Sequence, residues 1–287
     1  MKRYLGTLFT ATVLVCFLNN PAPAQAAEEP LGWYFEADLA GVWAAGNSES
    51  QTLGLGGKLR RLWTKSELVF TGGVTKTHSS EIIYTATGTT SDFTVQETKE
   101  SRTTAEIYFV RGVYEYNFSP KFFTFGGADW LRNRFAGIDS RFLIAAGAGN
   151  TWSKTDNVTF KTYYSVTYTF EEDVVDNPFV KSDFPGARFG YDLKYKLSQS
   201  TDFESNLVAD FNLDNTDDIR LDWYNALPVA ISSKLLLQPS LRLLWRNEPA
   251  LTNVPLEGTD ETVPAQLKDL DSIFTLAIVL KLGPEQE

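Results

Sequence analysis

The sequence predicts an all-β protein, a single up-and-down antiparallel β-barrel of about 12 strands that crosses a membrane. Three observations carry this. Hydrophobic residues recur with period two over unusually long runs. Short and long connections alternate between those runs. The apolar face is rich in aromatic side chains near the run ends.

The run at 157–170 shows the first most plainly. Val158, Phe160, Tyr164, Val166, Tyr168 and Phe170 alternate with Thr159, Lys161, Tyr163, Ser165, Thr167 and Thr169. Such alternation marks a strand with two different surroundings, and it is far longer than the usual strand of about 5–6 residues. Eleven similar runs occur near 33–45, 51–63, 66–78, 102–117, 121–132, 139–152, 187–198, 201–213, 218–231, 234–246 and 270–282.

Before the first run stands MKRYLGTLFTATVLVCFLNNPAPAQAAEE. Lys2 and Arg3, a short apolar stretch from Leu5 to Leu18 and the small residues around Ala24 and Ala26 make residues 1–26 a secretory signal peptide, with 27–287 as the barrel domain. The apolar stretch is shorter than the roughly 20 residues a membrane anchor helix needs. Cys16 leaves with the signal, so the exported chain has no disulfide framework. With Lys2 and Arg3 removed, 24 basic residues face 36 acidic ones, a net charge of −12 that argues against a nucleic-acid partner. After the signal no stretch of about 18 apolar residues remains, so a membrane-embedded chain must close its sheet into a barrel.

The connections after the even-numbered runs are tight: Thr64-Lys65, Phe118–Pro120, Lys154–Asp156, Gln199-Ser200 and Ser232-Ser233. Those after the odd-numbered runs are mostly longer, as at Ser79–Glu100, Glu171–Pro185 and Asn247–Asp269. This is the pattern of periplasmic turns against extracellular loops, and it places the N-terminus in the periplasm. In the eighth run Phe189, Tyr191, Leu193, Tyr195 and Leu197 oppose Arg188, Asp192, Lys194 and Lys196. In the ninth Phe203, Leu207, Phe211 and Leu213 oppose Glu204, Asn206, Asp210 and Asn212. In the tenth Ile219, Leu221, Trp223 and Leu227 oppose Arg220 and Asp222. A soluble sandwich would alternate too, but with its charged face to water and no need of such lengths.

Three stretches carry a family resemblance. They are Gly46-Asn47-Ser48-Glu49-Ser50, the segment Asp129–Arg141 (DWLRNRFAGIDSR) with the glycine-spaced strand after it, and Trp245-Arg246-Asn247-Glu248-Pro249. In that order and spacing they resemble the salt-induced outer-membrane protein family, whose domain is of unknown function. The resemblance implies an outer-membrane barrel of a Gram-negative bacterium with expression linked to salt, and it carries no catalytic residues. Its characteristic positions here are Gly46, Asn47, Arg134, Gly137, Asp139, Trp245, Asn247, Glu248 and Pro249. Gly46-Asn47 reads as a turn pair, and Arg134, Asp139 and Arg141 as an ion-paired loop. Unlike many outer-membrane barrels, the chain has no terminal aromatic residue, so the assembly machinery would read the strand Ile273–Leu282.

The candidate functional residues are charges expected inside the barrel: Arg111, Glu115, Lys161, Arg188, Asp192, Lys194, Lys196, Glu204, Asp210, Arg220 and Asp222. Opposite signs on neighbouring strands pair, which fits either a pore lined by both signs or a salt-bridged plug. Twelve strands lie between filled eight-stranded barrels and open porins, so strand number leaves both open. A lipid hydrolase using His78 and Ser80, with Glu81 orienting the base, is the enzyme alternative. A surface-binding role for loops 79–100 and 247–269 is another. With one His and no exported Cys, soft metals lack ligands. Glu171-Glu172-Asp173 and Asp269/Asp271 read as solvated loop charges, so no metal or cofactor is expected. The expected partners are outer-membrane lipid, lipopolysaccharide and the barrel assembly machinery, with the protein a monomer.

Overall fold

The structure is a computed structural model that describes residues 30–44, 48–89, 92–176, 181–255 and 262–284. The signal segment and the pair Gly46-Asn47 lie outside the described residues. The strands are β1 (Gly32–Ala44), β2 (Ser48–Leu62), β3 (Ser66–Thr89), β4 (Asp92–Ser119) and β5 (Phe122–Asn133). After a 3-10 turn at Arg134–Ala136 come β6 (Ile138–Lys154), β7 (Val158–Asp173), β8 (Asp183–Lys196), β9 (Asp202–Asn212) and β10 (Ile219–Ala226). The last are β11 (Val229–Ala230), β12 (Leu235–Arg246), β13 (Leu251–Pro255), β14 (Thr262–Gln266) and β15 (Leu270–Leu282).

Each strand from β1 to β10 pairs antiparallel with its neighbours in sequence, β10 pairs with β12, β12 with β15 and β15 with β1. The ring is therefore closed, with staves β1–β10, β12 and β15. The two-residue β11 follows the buried Pro228 and continues the β10 side of the wall along β12. Pro has no N–H for a ladder, so the break falls where the strand can spare a bond. β13 and β14 form a separate hairpin between β12 and β15.

Ion pairs fix which face is inner. Glu115 on β4 meets Lys161 on β7, Asp129 on β5 meets Arg188 on β8, and Glu171 on β7 meets Arg220 on β10 and Arg246 on β12. Side chains on strands that are not neighbours can touch only through the interior of a closed barrel. The alternate positions therefore face out, and these are the apolar ones: Tyr164, Val166 and Phe170 on β7, Phe189 on β8, Phe274 and Ile278 on β15. Val166 and Phe274 are 70% and 69% exposed. Water would penalise so continuous an apolar wall, whereas hydrocarbon does not, so the molecule is a transmembrane barrel.

Aromatic side chains edge the apolar wall. At the turn end stand Trp33, Trp63, Phe118, Phe122, Trp152 and Tyr195, with the Arg61 guanidinium 5.5 Å from the Trp33 and Trp63 ring centres. At the loop end stand Phe142, Tyr168 and Phe170. From Phe160 to Phe170 is about 33 Å of strand, which at a tilt near 40° spans about 25 Å, the height of an outer-membrane apolar band. Glu172 is the first outward residue beyond Phe170, so Asp173 lies past the band.

Three long connections differ from the expected loops. Ser79–Thr89 and Asp92–Glu100 are strand, because β3 and β4 stay paired to Thr89 and Asp92. Ile82, Ile83, Tyr84, Thr85, Thr87 and Val95 are β-forming residues, and the ladder gives their backbone groups partners. Of 171–185 only the part from Val174 to Ser182 joins strands. Segment 247–269 contains the β13–β14 hairpin.

Candidate functional site

The lumen is organised in three levels of charge. Nearest the turns, Lys161 Nζ donates to both Glu115 oxygens at 2.9 and 3.1 Å and lies 5.0 Å from the Phe123 ring centre. Arg60 pairs with Glu67 at 2.6 Å. Lys194 meets Asp202 and Glu204 at 3.1 and 3.5 Å, and Asn206 donates to Asp192 at 2.6 Å. Lys196 is exposed at the strand end, opposite Asp202 in register.

At mid-height Arg188 grips Asp210 through two nitrogens at 2.6 and 3.0 Å and reaches Asp129 at 3.0 Å. Arg111 holds the other Asp129 oxygen at 2.5 Å, and Arg242 forks onto Asp222 at 2.8 and 2.6 Å. Small residues make room for the bulky ones. The Tyr163 ring lies over the α-carbon of Gly190, where any side chain would collide with it.

The loop-end level is the most enclosed. Glu171, 5% exposed, accepts from Arg141 at 2.6 Å, Arg220 at 2.5 Å and Arg246 at 3.0 Å. Asp218, 1% exposed, takes Arg220 at 2.6 and 3.0 Å and Arg246 at 3.2 Å. The Arg220 guanidinium is 5.2 Å from the centre of the buried Phe184 ring. Strands β6, β7, β10 and β12 are thus tied across the mouth by one charge cluster. Burial alone would raise the Asp218 carboxyl, but the Arg220 hydrogen bond and the Arg220 and Arg246 charges hold it below the ordinary carboxylate range.

Most of the positions that carry the family resemblance lie at the loop end, with Gly137, Asn247, Glu248 and Pro249 over the mouth and Arg134 and Asp139 on its outer rim beside the outward Arg132. Arg134 and Arg132 share Asp139 at 3.3 and 3.1 Å. Asn133 accepts from the Ala136 N–H, and Gly137 closes the 3-10 turn at φ 78°, a conformation that strains residues bearing a Cβ. Ala250 packs on Gly137, and Pro249 leads into it. Asn247 donates to the Asp217 carbonyl at 2.9 Å, and Glu248 accepts from Asn215 at 2.5 Å. Trp245 sits opposite Leu221 and Leu270 in the wall.

All eleven expected lumen charges therefore lie on the inner face. Arg111 and Arg188 are joined through Asp129, Arg188 also holds Asp210, Glu115 is joined to Lys161, and Lys194 to Glu204. Arg220 joins the mouth cluster, and Asp222 pairs with Arg242. As lumen charges, Asp129, Arg141, Glu171, Asp218, Arg242 and Arg246 were missed; Arg141, expected in an ion-paired loop with Arg134 and Asp139, is instead an inner residue of β6 paired with Glu171. The reading of Glu171 as a solvated loop charge is corrected: it ends a lumen-facing row of β7 and is buried among three guanidinium groups. Its partners lie 30, 49 and 75 residues away in the chain, so no local pattern announces them.

His78 stands on the outer face at the loop end, where its Nδ1 is 3.1 Å from Thr103 Oγ1. Ser80 follows two residues on along β3. The Ser80 and Glu81 side chains lie outside the described residues. Among the described residues no cluster of three or more His, Cys, Asp and Glu is placed to hold a metal ion.

A closed antiparallel ring, an apolar outer wall with aromatic edges and a charged lumen define the class: a twelve-stranded outer-membrane β-barrel. Within that class the chain belongs to the family described as "Protein of unknown function, DUF481", which matches residues 37–260. Among proteins of curated function none matches the chain. Solved structures similar in fold include a KdgM porin in complex with disordered oligogalacturonate, at TM-score 0.40 and 8% identity over 88% of this chain and 99% of that one. The NanC porin has TM-score 0.40 and 8% identity over 86% and 97% of the two chains. The β domain of the Bordetella autotransporter BrkA has TM-score 0.41 and 10% identity over 88% and 99%.

Proposed function

We propose that the protein is an outer-membrane channel of a Gram-negative bacterium that passes only small polar solutes, because ion pairs narrow its lumen at the outer mouth. The observation that carries this reading is Glu171 gripped by arginines from β6, β10 and β12. The cross-lumen pairs join strands from β4 to β12. The opposite wall, β15–β1–β2–β3, carries hydroxyls such as the Thr52–Thr77 pair and charges such as Glu36 and Lys281, a wettable path beside the ion pairs. Water and small solutes fit such a path; large sugars would have to break several buried charge contacts.

In this reading residues 1–26 direct export and are removed. The short turns and the N-terminus are periplasmic, and the Glu171 cluster faces the outside. Outer-membrane lipid and lipopolysaccharide surround a monomer inserted by the barrel assembly machinery. A link to salt or osmotic stress is consistent with a constriction built from charges.

The test is solute efflux from liposomes holding the refolded chain 27–287. Glycerol and small ions should pass, and a disaccharide should be retained. Equal passage of glycerol and disaccharide, or retention of every solute by a fully inserted barrel, would overturn the proposal.

A further inference from the structure

A groove crosses the lipid-facing wall where β2, β3, β4 and β5 run side by side. Gly72 is its floor, and Leu55, Val74, Tyr108, Val110 and Trp130 form its sides, enclosing about 430 Å³. The register makes it continuous: Leu55 is opposite Val74, Val74 opposite Tyr108, and Val110 opposite Trp130. A side chain at position 72 would fill the trough, and glycine leaves it open.

The loop-ward rim of this apolar trough is charged. The next outward residues along the three strands are Lys76, Glu106 and Arg132. Tyr108 donates to Glu106 at 2.6 Å, and Trp130 Nε1 donates to Ser140 at 3.2 Å, so each ring has its polar end at the rim. Arg132 and Arg134 share the single carboxylate of Asp139, and Lys76 stands 4.0 Å from Glu106. Among the described residues three cations thus face two carboxylates, one positive charge in excess, with side chains 40–51% exposed on the cationic arm.

From this geometry we propose a site for one phosphorylated, acylated lipid of the loop-end leaflet. An acyl chain lies over Gly72 between Tyr108 and Trp130, and a phosphate sits among Arg132, Arg134 and Lys76. The guanidinium fork matches phosphate geometry, and the lysine adds a point charge. Rings with a polar tip mark the height where headgroup meets hydrocarbon, so chain and phosphate are each met at their own depth. A second copy of the barrel is the poorer occupant, since a two-fold contact would oppose the same excess positive charge on both sides. The inference rests on the membrane placement given above but not on the constricted lumen.

The experiment is native mass spectrometry of the refolded chain from neutral detergent, supplied with diphosphoryl lipid A or with the same lipid dephosphorylated. The wild type should retain one diphosphoryl molecule and little of the dephosphorylated one. Arg132→Gln/Arg134→Gln should lower retention about tenfold, and Gly72→Leu should lower it by blocking the trough. All should keep the heat-shifted gel mobility and the wild-type solute efflux, which separates this site from the lumen. Equal retention of the two lipids by the wild type would overturn the proposal without recourse to any variant. So would retention untouched by both variants, or a barrel dimer in place of the lipid.

Discussion

Replacing Glu171 with Gln removes one buried charge from among three arginines while keeping the side chain's size. At an effective dielectric of about 20, two unit charges 4 Å apart attract by about 4 kcal/mol. Breaking a buried pair by removing one partner costs about 3–5 kcal/mol. Gln still accepts one hydrogen bond, so the lower end applies, about 3 kcal/mol, or roughly a hundredfold in the unfolding equilibrium. The control is Lys181→Gln, which removes the exposed Lys181–Asp214 pair and should cost no more than about 1 kcal/mol. Guanidinium titration in lipid vesicles, followed by Trp fluorescence, measures both against the wild type. The ladder hydrogen bonds of the wall are untouched, so Glu171→Gln should insert and fold. A loss for Glu171→Gln no larger than for Lys181→Gln would refute the reasoning that the mouth cluster is a buried, mutually dependent unit.

Two further outcomes follow from the same structure. Ile278, 54% exposed between Leu39 and Leu237 at the middle of the outer wall, should cost about 2–4 kcal/mol when replaced by Arg, by the same titration; a neutral result would argue that this face does not meet lipid. Asp173, beyond the apolar band, is pushed up to about 6 by burial and by the Glu171 charge, and its Oδ1 has no hydrogen-bond partner. A raised carboxyl favours the folded state fully below the unfolded value near 4 and loses that contribution as pH rises through about 6. Asp173→Asn should therefore stabilise the protein at pH 7 by about 1 kcal/mol after solvent screening, and by little at pH 4; the same gain at both pH values would contradict the assignment.

The wall was legible in the sequence because a membrane barrel needs opposite chemistries on its two faces, and period-two alternation records that directly. Phe189 against Arg188 and Leu207 against Asn206 are enough to set inside from outside. The tight turns were legible for the same reason, since an abrupt end to alternation leaves few residues to account for. The hairpin at Ser79–Glu100 was not, because strands standing clear of lipid need no apolar face, and Thr- and Ser-rich sequence looks alike in loop and ladder. The lumen was half legible. Charges placed opposite each other on neighbouring strands, such as Arg188 and Asp210, can be matched from alternation and turn positions. The pairs that cross the lumen, such as Glu115 with Lys161, depend on how the ring closes and where each side chain ends. Glu171 was lost to a further cause: it stands in a run of three acids, which reads as a solvated surface when nothing indicates that three arginines converge on the first of them.

The most direct measurement is single-channel conductance of the refolded chain 27–287 in a planar bilayer, compared with Glu171→Gln. A lumen constricted at its mouth by the Glu171 cluster should give small steady steps in the wild type and larger ones in the variant. Wild-type steps the size of a wide open porin's, or a folded Glu171→Gln barrel whose steps match the wild type, would contradict the account.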